Sequence, residues 1–113
     1  MGKSQRIKGA GEERRVAKLY GFALNCCVER ELSQYQHSSG RDLKGCQPWI
    51  VQCKKGRRIN YRKAADEAIG AMGDGYAYPV AHINEDRKTK LVVLPEELWM
   101  QIVEILNTNK LMV

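Results

Sequence analysis

The chain has 113 residues, enough for one domain over residues 1–113 and too few for a second core. No apolar run approaches the roughly 20 residues that cross a bilayer, and the start lacks a secretory apolar stretch, so the expected setting is cytoplasmic, without a membrane. Net charge is +6 and polarised: residues 1–63 hold 15 lysines and arginines against 5 acids, whereas residues 64–113 hold 4 against 8. That asymmetry points to one face meant for a polyanion.

Residues 1–8 read as a flexible lead. Lys8-Gly9-Ala10-Gly11 then runs into a helix whose first turn carries Glu12 and Glu13, with Val16, Ala17, Leu19 and Tyr20 as its apolar face. Gly21 ends or bends it. Four cysteines stand beyond it, at 26, 27, 46 and 53. The adjacent pair and the lack of any CxxC argue against a zinc ribbon, and buried reduced thiols are expected. Residues 28–35 alternate weakly, which fits either a strand or an extension of the preceding helix. Ser38-Ser39-Gly40-Arg41 is a turn leading to Asp42-Leu43. The clearest strand is 48–53, short, aromatic and β-branched, followed by a basic turn over 54–58. An alanine-rich helix is predicted over 60–72, closed by Gly73-Asp74-Gly75. Strands over 78–83 and 90–94 form a hairpin across a polar turn. A last helix opens at Pro95, placed as its first residue, and carries a broad apolar face from Leu98 to Leu106. The order predicts an α/β sandwich: a mixed sheet of about five strands flanked by three helices.

Three residues suggest chemistry. Hydrolysis of a phosphodiester needs a divalent ion to polarise the phosphate and activate water, and such ions ask for hard oxygen ligands. An aspartate on one strand, an oxygen ligand on the neighbouring strand, and a lysine two positions past that ligand on the same face can present the site. Asp42, Gln52 and Lys54 have that form. Polar residues on an otherwise apolar strand also need a reason. Two of them have plainer explanations: Asp42 as a turn residue and Lys54 as the first solvated residue after a strand.

Gly40-Arg41-Asp42-Leu43 with Trp49-Ile50-Val51-Gln52-Cys53-Lys54-Lys55 resembles the D…(E/Q)xK core of the PD-(D/E)xK nucleases. Glutamine at the second ligand position is similar to the variant in Mrr-type restriction endonucleases. Lys8-Gly9-Ala10-Gly11-Glu12-Glu13-Arg14 resembles the start of archaeal Holliday junction resolvases, where a helix-borne glutamate after Lys-Gly joins the metal site. The resemblance implies that role for Glu13, with Glu12 the fallback, although acids at a helix start need no further reason.

The implied protein has a restriction-endonuclease-like fold and is an endonuclease using Mg²⁺ or Mn²⁺, bound by Glu13, Asp42 and the Gln52 carbonyl, with Lys54 positioning the water. Gln52 brings no charge, so the site has two carboxylates where three are usual. The resemblances to junction resolvases and virus-type replication-repair (VRR-NUC) nucleases imply structure-selective cutting of branched, nicked or duplex DNA, a homodimer, and a phage or mobile-element setting. Lys8, Arg41, Lys55, Arg57, Arg58, Arg62 and Lys63 are the residues expected to hold phosphates. Tyr61 is weighed between stacking and packing, and His37 between proton transfer and a plain surface role. Two rival readings are a DNA-binding protein that keeps the fold without cutting, and a small basic RNA-binding module.

Overall fold

A computed structural model describes residues 3–32 and 41–109. Its elements are α1 (Lys3–Leu24), β1 (Glu29–Arg30), β2 (Leu43–Lys44), β3 (Trp49–Gly56), α2 (Tyr61–Ile69), β4 (Tyr78–Glu85), β5 (Leu91–Val93) and α3 (Glu96–Thr108). β3, β4 and β5 form one mixed sheet. β3 and β4 run parallel, Trp49 opposite Tyr78 through Gly56 opposite Glu85, while β4 and β5 run antiparallel. The parallel pair is possible because α2 carries the chain back across the sheet. β1 and β2 make a separate antiparallel ribbon, so the five strands divide into two sheets rather than one. One backbone bond, Asp42 N–H to Val51 C=O at 2.9 Å, ties that ribbon's approach to the free edge of β3.

Alternation along β3 decides what the sheet buries on each side. Val51 belongs to a cluster with Val16 and Ala17 of α1, Leu43, Cys46, Val80 and Leu98. Ile50 turns the other way, onto Ala68, Ala71 and Tyr76, beside a cluster of Ala64, Ala81 and Ile83. Side chains two apart share a face, so Gln52 and Lys54 follow Ile50 toward α2. The buried alanines at 64 and 68 leave α2 no bulk on its inner stripe, which lets it lie close over the strands.

Several boundaries differ from the sequence reading, each for a local reason. α1 starts at Lys3, so Glu12 and Glu13 lie in its middle and cannot be explained as partners of a helix start. It ends at Asn25, whose φ of 53° is the left-handed geometry that terminates helices. Gly45, at φ 86°, stands so close to the chain that an added Cβ would lie 2.4 Å from the Cys27 carbonyl oxygen. β3 extends to Gly56, because β4 supplies ladder partners through Glu85; Lys54 and Lys55 are therefore strand residues, not a turn. α2 is shorter than expected and is capped by Asn60, whose side chain accepts from Lys63 N–H. Pro95 is extended, at ψ 142°, and precedes α3 rather than opening it. The predicted apolar face of α3 is buried only at Leu98, leaving Trp99, Met100 and Ile105 exposed. Cys26 and Cys27 are exposed and free, against the expectation of buried thiols, while Cys46 is buried and Cys53 half-buried. Among the described residues no helix is long and apolar enough to cross a membrane.

Candidate active site

Asp42 reaches the site through the edge of β3. Its backbone N–H bonds to Val51, and its Oδ2 accepts from Cys53 N–H at 2.6 Å, taking the place of the next rung on a strand edge. Only 6% of the residue is exposed. Burial pushes its carboxyl up to about 7 despite the Cys53 hydrogen bond; nearby Glu13 and Glu67 push the same way, and Lys54 opposes them. Glu13, Lys54 and Glu67 therefore lie within electrostatic reach of one buried acid.

Glu13 and Glu12 approach from α1, both buried. Glu13 Oε1 accepts from Arg30 Nε at 2.8 Å. Glu12 is engaged elsewhere: its two oxygens take a forked pair of bonds from Arg15, at 3.0 and 2.8 Å, and Oε1 also accepts from Asn84 Nδ2. Burial disfavours its charge, but those bonds and the charges of Arg15 and Lys55 outweigh it and hold its carboxyl below the usual range. Glu13 is among the charges that push the Asp42 carboxyl up, so the aspartate feels the second position of the acidic pair.

Gln52 and Lys54 meet a residue that the sequence reading missed. Gln52 Nε2 donates to Glu67 Oε2 at 2.6 Å, and Lys54 Nζ pairs with the same oxygen at 2.9 Å. Gln52 Oε1 is buried and has no hydrogen-bond partner among the described residues. A signal for Glu67 did exist: it is three residues after Ala64 and one before Ala68, so it borders the inner stripe of α2 that faces β3.

Among the described residues, no three His, Cys, Asp or Glu side chains are grouped so as to hold a metal ion. Glu13 and Asp42 offer carboxylate oxygens and Gln52 an unpartnered carbonyl oxygen, all hard donors of the kind that suits Mg²⁺ or Mn²⁺. The orphaned Oε1 and the strained ionisation of Asp42 are both features that a cation would relieve.

The basic residues expected to hold phosphates divide. Lys54, Lys55, Arg58 and Lys63 line a cleft of about 260 Å³ with Ile59, Asn60 and Ala64, and no acid lines it. Arg57 and Arg62 are exposed and outside that lining; Arg62 pairs along α2 with Asp66 at 3.1 Å. Arg41 lies with its guanidinium 4.4 Å from the centre of the Tyr76 ring. The Lys8 side chain, Gly40 and His37 fall outside the described residues. Tyr61 donates its hydroxyl to Glu85, which fits packing rather than stacking. His82 is bonded to Tyr20 through Nε2 at 2.8 Å, and burial pushes its pKa down to about 4.

No family model, curated protein or solved structure matches this chain.

Proposed function

We propose that the chain is a metal-dependent endonuclease of DNA with a restriction-endonuclease-like fold. The observation that carries the reading is the setting of Asp42, Gln52 and Lys54 at β3: the buried Asp42 carboxylate accepts from Cys53 N–H, between Gln52 and Lys54, and those two share one face of the strand and one carboxylate oxygen. The mixed sheet flanked by helices, with β3 parallel to β4 across α2, supports the fold part of the reading. The basic cleft begins at Lys54 itself, so a phosphate chain held there would pass the site.

The chain's own groups have separable tasks. Lys55, Arg58 and Lys63 hold backbone phosphates by charge, which fixes register without reading sequence. Lys54, half-buried at the cleft's edge, brings an ammonium group to the scissile phosphate, where it orients water or neutralises the charge that develops as the P–O bond breaks. Asp42 and Glu13 are the anionic ligands and Gln52 the neutral one. A bound Mg²⁺ or Mn²⁺ would supply polarisation of the phosphate and a lowered pKa for water. The resemblances to junction resolvases and virus-type replication-repair nucleases favour structure-selective cutting of branched, nicked or flapped DNA. The exposed Trp99, Met100 and Ile105 of α3 suit a homodimer.

One arrangement favours the rival reading of a DNA-binding protein that does not cut. Lys54 is already paired with Glu67, and Glu13 with Arg30. Incubation with supercoiled plasmid and branched oligonucleotides in Mg²⁺, Mn²⁺ or EDTA separates the two. Cutting that needs the divalent ion and is lost in Asp42→Asn supports the nuclease; salt-sensitive binding with no cutting supports the rival. Preference for RNA, indifferent to Asp42→Asn, would indicate the RNA-binding module.

A further inference from the structure

The charge missing at position 52 stands one layer away, on α2. We propose that Glu67 is a positioning residue of this site, holding the Gln52 carboxamide by its NH₂ end and so committing the carbonyl oxygen to the cation shared with Asp42. The inference rests on the metal-dependent reading above and adds a residue to it.

A carboxamide has a donating and an accepting end, and only its hydrogen bonds decide which way each points. An ionised carboxylate accepts and never donates, so at 2.6 Å from Glu67 Oε2 the Gln52 end must be NH₂. The other end, Oε1, is then fixed on the opposite side, buried and without a partner among the described residues. Leaving a carbonyl oxygen buried and unpaired is costly, and a cation provides what the protein does not. Lys54 Nζ on the same Glu67 oxygen means that one carboxylate locates both the neutral ligand and the ammonium group. The arrangement also accounts for glutamine at this position. A glutamate there would press a second carboxylate against Glu67 at hydrogen-bond distance, where like charges oppose each other. Gln52 is thus the side chain that Glu67 requires, rather than a decayed acid.

The test is Mn²⁺ affinity, read by electron paramagnetic resonance in the absence of DNA, for the parent, Asp42→Asn, Glu67→Leu and Glu67→Gln. Removing residues that orient ligands costs on the order of 10- to 100-fold in metal affinity, and Glu67→Leu is expected in that range. Glu67→Gln keeps an oxygen to receive the Gln52 amide and should recover most of the loss, which a general packing role for the side chain would not produce. If Asp42→Asn loses Mn²⁺ while Glu67→Leu binds it as the parent does, the role of Glu67 is overturned and the nuclease reading stands. If Asp42→Asn binds as the parent does, the metal site itself is wrong and both fall. A measurement on the parent needs no variant. The Gln52 NH₂ protons, assigned by nuclear magnetic resonance, should exchange with water far more slowly than a free glutamine amide; exchange at the free rate overturns the proposal.

Discussion

Replacing Asp42 by asparagine should make the protein more stable above pH 7 while abolishing metal-dependent cleavage. The carboxyl is displaced from an ordinary 3.8 to about 7, with burial the largest cause. At about 1.4 kcal/mol for each pH unit, holding it ionised in the fold costs on the order of 4 kcal/mol. Asparagine keeps an oxygen that can accept the Cys53 N–H and carries no charge, so a gain of roughly 2–4 kcal/mol is expected at pH 8 in EDTA. The sign follows from proton counts. Between pH 3.8 and about 7 the folded chain retains a proton that the unfolded chain has released, so stability falls as pH rises and the loss is complete above 7. His82 works in the opposite sense. Its pKa is pushed from 6.5 down to about 4, so below 6.5 the unfolded chain binds the extra proton and stability falls as pH drops. In the parent the two slopes oppose over roughly pH 4–6.5, and in Asp42→Asn the His82 slope should stand alone. Urea unfolding from pH 4 to 9, with and without Mn²⁺, checks all of this. Saturating Mn²⁺ should stabilise the parent, by about 2.7 kcal/mol at a hundredfold excess over Kd, and leave the variant unchanged. A variant less stable than the parent at pH 8 in EDTA, by an amount that does not vary with pH, would refute the assignment of a buried, strained carboxylate.

Three further outcomes are expected. Lys54→Ala should cut plasmid about 10²- to 10³-fold more slowly than the parent while holding its fold, as judged by the same urea midpoint. Replacing Lys55, Arg58 and Lys63 together by alanine should weaken DNA binding and lower the slope of log Kd against log salt by about one for each phosphate left unneutralised. Equal slopes for the two proteins would remove the cleft from the interface. Gly45→Ala should cost roughly 1–3 kcal/mol in thermal or urea unfolding, because the left-handed backbone and the Cys27 carbonyl both exclude a Cβ.

The strongest local signals were legible in the sequence for physical reasons. The apolar run at 49–53 is a strand, the alanine stripe at 64 and 68 is the inner face of α2, and β4 and β5 pair across the polar turn. Period-two alternation puts Gln52 and Lys54 on one face of that strand, where both reach Glu67. What lay beyond reach depended on tertiary partners. β3 continues through two lysines because β4 offers bonds there, although local composition reads as a turn. Glu12 and Glu13 resemble a helix start, yet they are mid-helix, and it is Arg15 and Asn84 on one and Arg30 on the other that tell them apart. Glu67 is separated from Gln52 by 15 residues, and although its place beside the alanine stripe aims it toward β3, only the fold pairs it with a buried amide.

The bond from Cys53 N–H to the Asp42 carboxylate has a consequence for association as well as chemistry. An unpaired strand edge is a template on which a neighbouring molecule can lay down a strand of its own. Here the rung at position 53 is already taken by an anionic side chain, so an incoming strand would have to displace a short hydrogen bond and bury itself against a negative charge. The Asp42 carboxylate thereby also guards the protein against adding strands at that border.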